Sequence, residues 1–171
     1  LLLAVPGRAF AAQDEHAVFD DTYPDTICGI DVTAHAVGVF NGFVHVDGNG
    51  VGLLKSTGQQ TITYTAANGK QVIFFGAGTS HVLSATINGD GTITYNNAIS
   101  GVANEYRLPD GTVLAKSVGR IVFALLFSDN GTPSDYSDDF PISMSVVSIA
   151  GPHPFATGEL NRCDLIAAAL S

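Results

Sequence analysis

The chain has no tryptophan, one methionine and two cysteines in 171 residues, and only 13% of its residues are charged. Each shortage excludes something. Cys28 and Cys163 stand far apart, without the C-x-x-C spacing of a zinc site or a thioredoxin-like redox pair. Seven Lys and Arg against sixteen Asp and Glu give a net charge of −9, and no basic cluster breaks that balance. A polyanion of this kind repels nucleic acid and anionic lipid surfaces. No run reaches the ~20 apolar residues of a helical membrane span. The sequence also lacks a G-x-S-x-G elbow, an H-E-x-x-H pair, a phosphate-binding glycine loop and an EF-hand loop. Any catalytic site must therefore be assembled from separated positions.

What is present is a hydrophobic fraction of 46%, too high for a disordered chain, and a length suited to one domain. The opening "LLLAVPGRAFAAQDEH" reads as the tail of a secretory signal peptide. Leu1–Val5 supplies the apolar segment, and Ala9-Phe10-Ala11 supplies a small-x-small cleavage site. Residues 1–11 are then the leader and residues 12–171 a single secreted, extracellular β domain. The alternative is an ordinary apolar strand that completes a sheet. In an exported protein two cysteines pair, so a Cys28–Cys163 disulfide is expected; two buried free thiols are the alternative.

Period-two alternation runs along most of the chain. "TITYTA" (61–66) and "FPISMSVVSI" (140–149) alternate cleanly, and "RIVFALLF" (120–127) is apolar on both faces, as a central strand should be. Further short strands are expected at 16–20, 27–37, 38–47, 50–56, 71–76, 80–87, 92–98, 101–108 and 112–118. Asn-Gly and Asp-Gly tips in "VDGNGVG", "AANGKQ", "INGDGTI" and "LPDGTV" predict hairpins, because these residues tolerate positive φ. The fold class is all-β: an antiparallel meander closing into a small β-barrel, which leaves no exposed edge. A two-sheet sandwich is the alternative, with 128–139 as its crossover. The tail "TGELNRCDLIAAALS" predicts one short helix at about 158–170, capped by Thr157. The prolines of "AGPHPFATG" (150–158) predict a non-helical connector before it.

Candidate sites are sparse. Asp129, Asn130, Asp135, Asp138 and Asp139 place five oxygen donors on one loop, a composition suited to Ca²⁺ and equally to a solvated turn. Asp20, Asp21 and Asp25 carry the same ambiguity. His35 and His45, with Asp31 and Asp47, would face each other if residues 38–42 turn the chain. His16, His81 and His153 show no partner. Glu105, Arg107 and Tyr106 supply an acid, a base and a hydroxyl that could orient a ligand inside a barrel; an exposed ion pair is the alternative. Asn130-Gly131-Thr132 fits a glycosylation sequon.

"CGIDV", "VGRIVF", "AGPHPF" and "CDLIAAAL" resemble segments of a group of uncharacterised secreted all-β proteins from actinobacteria. The resemblance implies a secreted β domain with its cysteines paired, and assigns no activity.

Three functions suit this reading. The first is a non-enzymatic module holding a small apolar ligand among Phe43, Tyr64, Phe74, Phe75, Tyr95 and Phe123. The second is a small-barrel isomerase or cyclase using Glu105, Tyr106 and Arg107 on a hydrophobic substrate. The third is an extracellular structural or surface-interaction module, marked by a packed core and an exposed apolar patch.

Overall fold

The computed structural model describes residues 15–133 and 139–171. The leader reading of residues 1–11, with Asp135 and Asp138 of the acidic loop, lies outside the described residues. The alternating runs form seven strands: β1 (Glu15–Ile27), β2 (Ile30–Val46), β3 (Gly52–Ala66), β4 (Gln71–Ile87), β5 (Thr92–Arg107), β6 (Val113–Ser128) and β7 (Phe140–Ala150). Two short helices follow, α1 (Pro154–Thr157) and α2 (Arg162–Leu170). All strands lie antiparallel in one sheet, in chain order.

The expected meander is present, but the barrel is not. Among the described residues β1 and β7 pair only with β2 and β6, so the sheet stays open. The sandwich does not form either, because the loop after β6 returns to the adjacent position in the same sheet.

The four glycine-containing tips close the four hairpins from β2 to β6. Asp47 accepts hydrogen bonds from the backbone N–H groups of Asn49 (2.8 Å) and Val51 (3.0 Å). Asp90 and Asp110 do the same for Thr92 and Thr112. These bonds, and at Asp90 first of all the Thr92 hydroxyl (2.7 Å), favour the charged carboxylate and hold all three side chains below the usual aspartate range. A fifth tip, Cys28-Gly29, closes β1–β2 with positive φ at both residues (54° and 79°). It was hidden in the sequence because cysteine is a rare residue there.

Runs expected as separate strands fuse in pairs. Residues 50–56 and 61–66 become β3, and β2, β4, β5 and β6 form likewise. Each junction carries glycine, and that glycine bends a strand rather than ending it. Gly58, Gly78, Gly101 and Gly119 stand directly opposite one another across β3 to β6. Gly101 and Gly119 both have φ of 125°. A Cβ on Gly119 would lie 2.1 Å from the Ala150 carbonyl oxygen, and one on Gly101 2.4 Å from that of Ala77. Only glycine fits where neighbouring backbones come this close.

The row divides the buried face into two clusters. On one side Val32, Ala66, Val72, Phe74 and Tyr106 pack against Ile166 and Leu170 of α2. On the other, Val51, Val82, Ile93, Tyr95, Leu125 and Phe127 form a core with no helix among its members. The sheet covers that core by curling, and the Gly52 N–H at the start of β3 donates to the Pro133 carbonyl beyond β6 (3.1 Å).

The Cys28–Cys163 disulfide forms, tying the β1–β2 tip to α2 across 135 residues. The chain-entropy model assigns a loop of that length roughly 5 kcal/mol. Asn68 adds a second tether, donating to the Leu170 carbonyl at 2.8 Å. The helix is shorter than expected. Asn161, not Thr157, caps α2, its side chain accepting from the Cys163 N–H. The connector is not wholly non-helical, because Pro154 opens α1, where a missing N–H costs nothing. Thr157 ends that turn, donating to the His153 carbonyl.

Replacing Gly119 with alanine should lower stability by at least about 2 kcal/mol, through backbone overlap at a positive φ. Gly69→Ala, at an open hairpin tip with nothing near its Cβ position, should cost only about 1 kcal/mol. Urea unfolding of the two variants checks this; equal losses would remove the special role of the row.

Candidate functional site

The interior offers little room. Of the six proposed ligand-lining aromatics, Phe74, Tyr95 and Phe123 are spent on packing. Tyr95 stacks edge-on to Phe127 at 5.6 Å, and Phe74 meets Tyr106 at 5.4 Å. Phe43 and Phe75 are on the opposite face, under Lys55 (5.9 Å) and Arg107 (6.0 Å). Adjacent residues in a strand point oppositely, so Phe74 and Phe75 cannot both line one cavity.

The proposed catalytic trio is split by the same alternation. Tyr106 is buried in the helix-side core, with Phe155 edge-on at 5.7 Å. Glu105 and Arg107 face the other way. Glu105 meets Lys116 at 2.8 Å and Arg107 at 3.7 Å, forming a small ion-pair network on the outer face. Tyr106 therefore does not share a site with the two charged residues.

The histidine constellation also comes apart. Residues 38–42 do not turn; they continue β2, with the Phe19 ring over Gly38 and the Phe40 ring over Gly42. His35 and His45 are thus ten residues apart on one strand, roughly 33 Å at the usual rise. His35 pairs instead with Asp20 (2.8 Å), and His16 with Asn41 (2.6 Å). Asp20 and Asp21 alternate faces, while Asp25 accepts from the Thr26 N–H. Asp31 accepts from the Thr26 hydroxyl (3.0 Å).

In the acidic loop, Asp129 accepts from the Thr132 N–H (3.0 Å), and Asp139 from the Tyr95 hydroxyl (3.1 Å). Among the described residues no group of three or more His, Cys, Asp or Glu is arranged to hold a metal ion. No helix among them is long and apolar enough to cross a membrane.

Two features were not legible in the sequence. The first is a pair of depressions sharing Arg162. One, of about 530 Å³, is lined by Asn104, Phe155, Gly158, Leu160, Asn161 and Arg162. The other, of about 170 Å³, lies between Arg162, Asp25, Tyr64 and Tyr106. The Arg162 side chain and Tyr106 line the smaller depression together. Burial raises the Tyr106 phenol above its ordinary pKa, and Arg162 partly offsets that. Burial, then the neighbouring Tyr106 and Asp25, raise Tyr64 further. These residues come from β1, β3, β5 and the helical tail, so no local motif announced them.

The second feature is β7 itself. Every residue from Phe140 to Ala150 is exposed. Phe140, Ile142, Met144, Val146, Val147 and Ile149 stand 36% to 65% open to solvent. Met144, Val146 and Ile149 share the inner face, Phe140 stands opposite Ser128 on the other, and Ile142 and Val147 sit at the two register shifts of the β6–β7 ladder. Met144 lies opposite Leu125 and Val146 opposite Phe123, so the patch continues the apolar face of β6. No protein-family model, curated protein or solved structure matches the chain.

The tyrosines make a pH prediction. A phenol with a raised folded-state pKa keeps its proton when the unfolded chain has lost it. Its stabilisation is complete below the unfolded value of about 10 and is lost as pH rises through the folded value. Chemical unfolding should show stability falling above pH about 10, and a Tyr64→Phe/Tyr106→Phe variant should flatten the fall. An unchanged slope would contradict the assignment.

Proposed function

We propose that this chain is an extracellular interaction module, a clamped β-sheet that associates with protein through its last strand. The observation that carries the reading is β7, an edge strand with six exposed large apolar residues and no charge. Natural edge strands are normally blunted by charge, proline or a covering element. The other edge follows that rule: β1 carries Glu15, Asp20, Asp21, Asp25 and Pro24. On β7 the devices are milder: Pro141 at the strand's start and two register shifts at Ile142 and Val147, with no charge. An apolar edge that no charge guards favours use over avoidance.

Export is part of the proposal. The leader-like residues 1–11 and the disulfide both suit an oxidising compartment. The enzyme reading has less support, since its acid and base lie on the opposite face from Tyr106.

A second reading rests on the Arg162 depressions. A guanidinium between two tyrosines and two asparagines suits a small ligand with an anionic group and an apolar body. Native mass spectrometry of the protein purified from its host separates the two. The module reading expects protein assemblies with no small-molecule mass. A single chain carrying a stoichiometric small molecule would overturn it and favour the cleft.

A further inference from the structure

We infer that the partner of β7 is a second copy of this chain, joined β7 to β7 in antiparallel fashion about a two-fold axis. The inference rests on the reading of β7 as an interaction edge and names its occupant.

Charge is the first argument. Each copy carries −9, so two copies approach favourably only through a charge-free contact. Of the two edge strands only β7 is uncharged. A head-to-tail contact of β7 with β1 of another copy would set this apolar strip against four carboxylates. It would also leave an edge free at each end and propagate. The β7–β7 contact is self-complementary and closes.

Register is the second argument. Full overlap of an 11-residue strand with its own antiparallel copy places Phe140 opposite Ala150, Met144 opposite Val146, and Ser145 opposite itself. Met144 and Val146 both face the buried side of the sheet, and Ser143 and Ser145 the other. At its centre the full-overlap register puts Met144 beside Val146 and extends the Phe123–Leu125 face across the seam, while further out Ile142 meets Ser148 and Ser143 meets Val147.

The test uses the full chain. Sedimentation velocity should show a dimer that persists in high salt, since the seam is uncharged. Met144→Lys/Val146→Lys should sediment as a monomer with an unchanged far-UV spectrum, because both positions are exposed. Ser145→Cys should oxidise to a covalent dimer, while Ser84→Cys, exposed on β4, should not; this arm holds even where the lysine variant folds poorly. A monomer at every concentration, or a dimer indifferent to the lysines, overturns the inference. So does a monomer whose β7 is held by residues 1–14, seen as dimerisation only when those residues are removed. A hetero-assembly of non-integral mass overturns the second copy yet leaves the interaction module standing, whereas a ligand-loaded single chain overturns both.

Discussion

The structure depends on one steric constraint: neighbouring strands come so close along a line across the sheet that no side chain fits there. Gly58, Gly78, Gly101 and Gly119 occupy that line in register. Without Cβ atoms the strands bend together, and the sheet curls over its own apolar face. The curl lets one layer bury Val82, Ile93, Tyr95 and Phe127 with no helix in the cluster. At the other end the curl is insufficient, and α2 supplies Ile166 and Leu170 as a plug. The disulfide holds that plug to the first hairpin, and Asn68 holds its far end to the third.

Curling without closure also determines where function can sit. A closed barrel would have hidden both edges and enclosed a cavity. This sheet fills its interior with side chains and leaves its first and last strands as edges. β1 is guarded by carboxylates and a proline, whereas β7 offers an uncharged apolar face continuous with β6. The asymmetry between the two edges, more than any cluster of reactive groups, distinguishes this molecule. The polar groups that do converge, Arg162 with Tyr106 and Tyr64, lie where the helical tail meets the sheet.

Much of the fold was legible in the residues. Alternation located the strands, and Asn-Gly and Asp-Gly pairs located four turns, because both signals are local. Pairing of the two cysteines was expected from the leader-like opening and the even cysteine count, and the disulfide is present. The glycines at strand junctions were misread because glycine breaks a strand in one context and bends it in another. Which of these holds depends on neighbours in register, such as Ser100 beside Gly78, and a sequence does not show register. The misreading at residues 38–42 then brought His35 and His45 falsely together. Barrel closure was overpredicted for a related reason: it depends on whether β1 and β7 meet, a property of accumulated curvature. The Arg162 depressions and the open edge were invisible because each needs the whole topology.

The most direct test of an open sheet is residue-resolved amide hydrogen exchange along β7 over a wide range of protein concentration. The account predicts that β7 amides pointing toward β6 stay protected throughout. The alternate amides, on the free edge, should exchange fast in dilute solution and become protected as concentration rises. Uniform protection of both sets, independent of concentration, would mean that the chain closes its own edge, and would contradict the account.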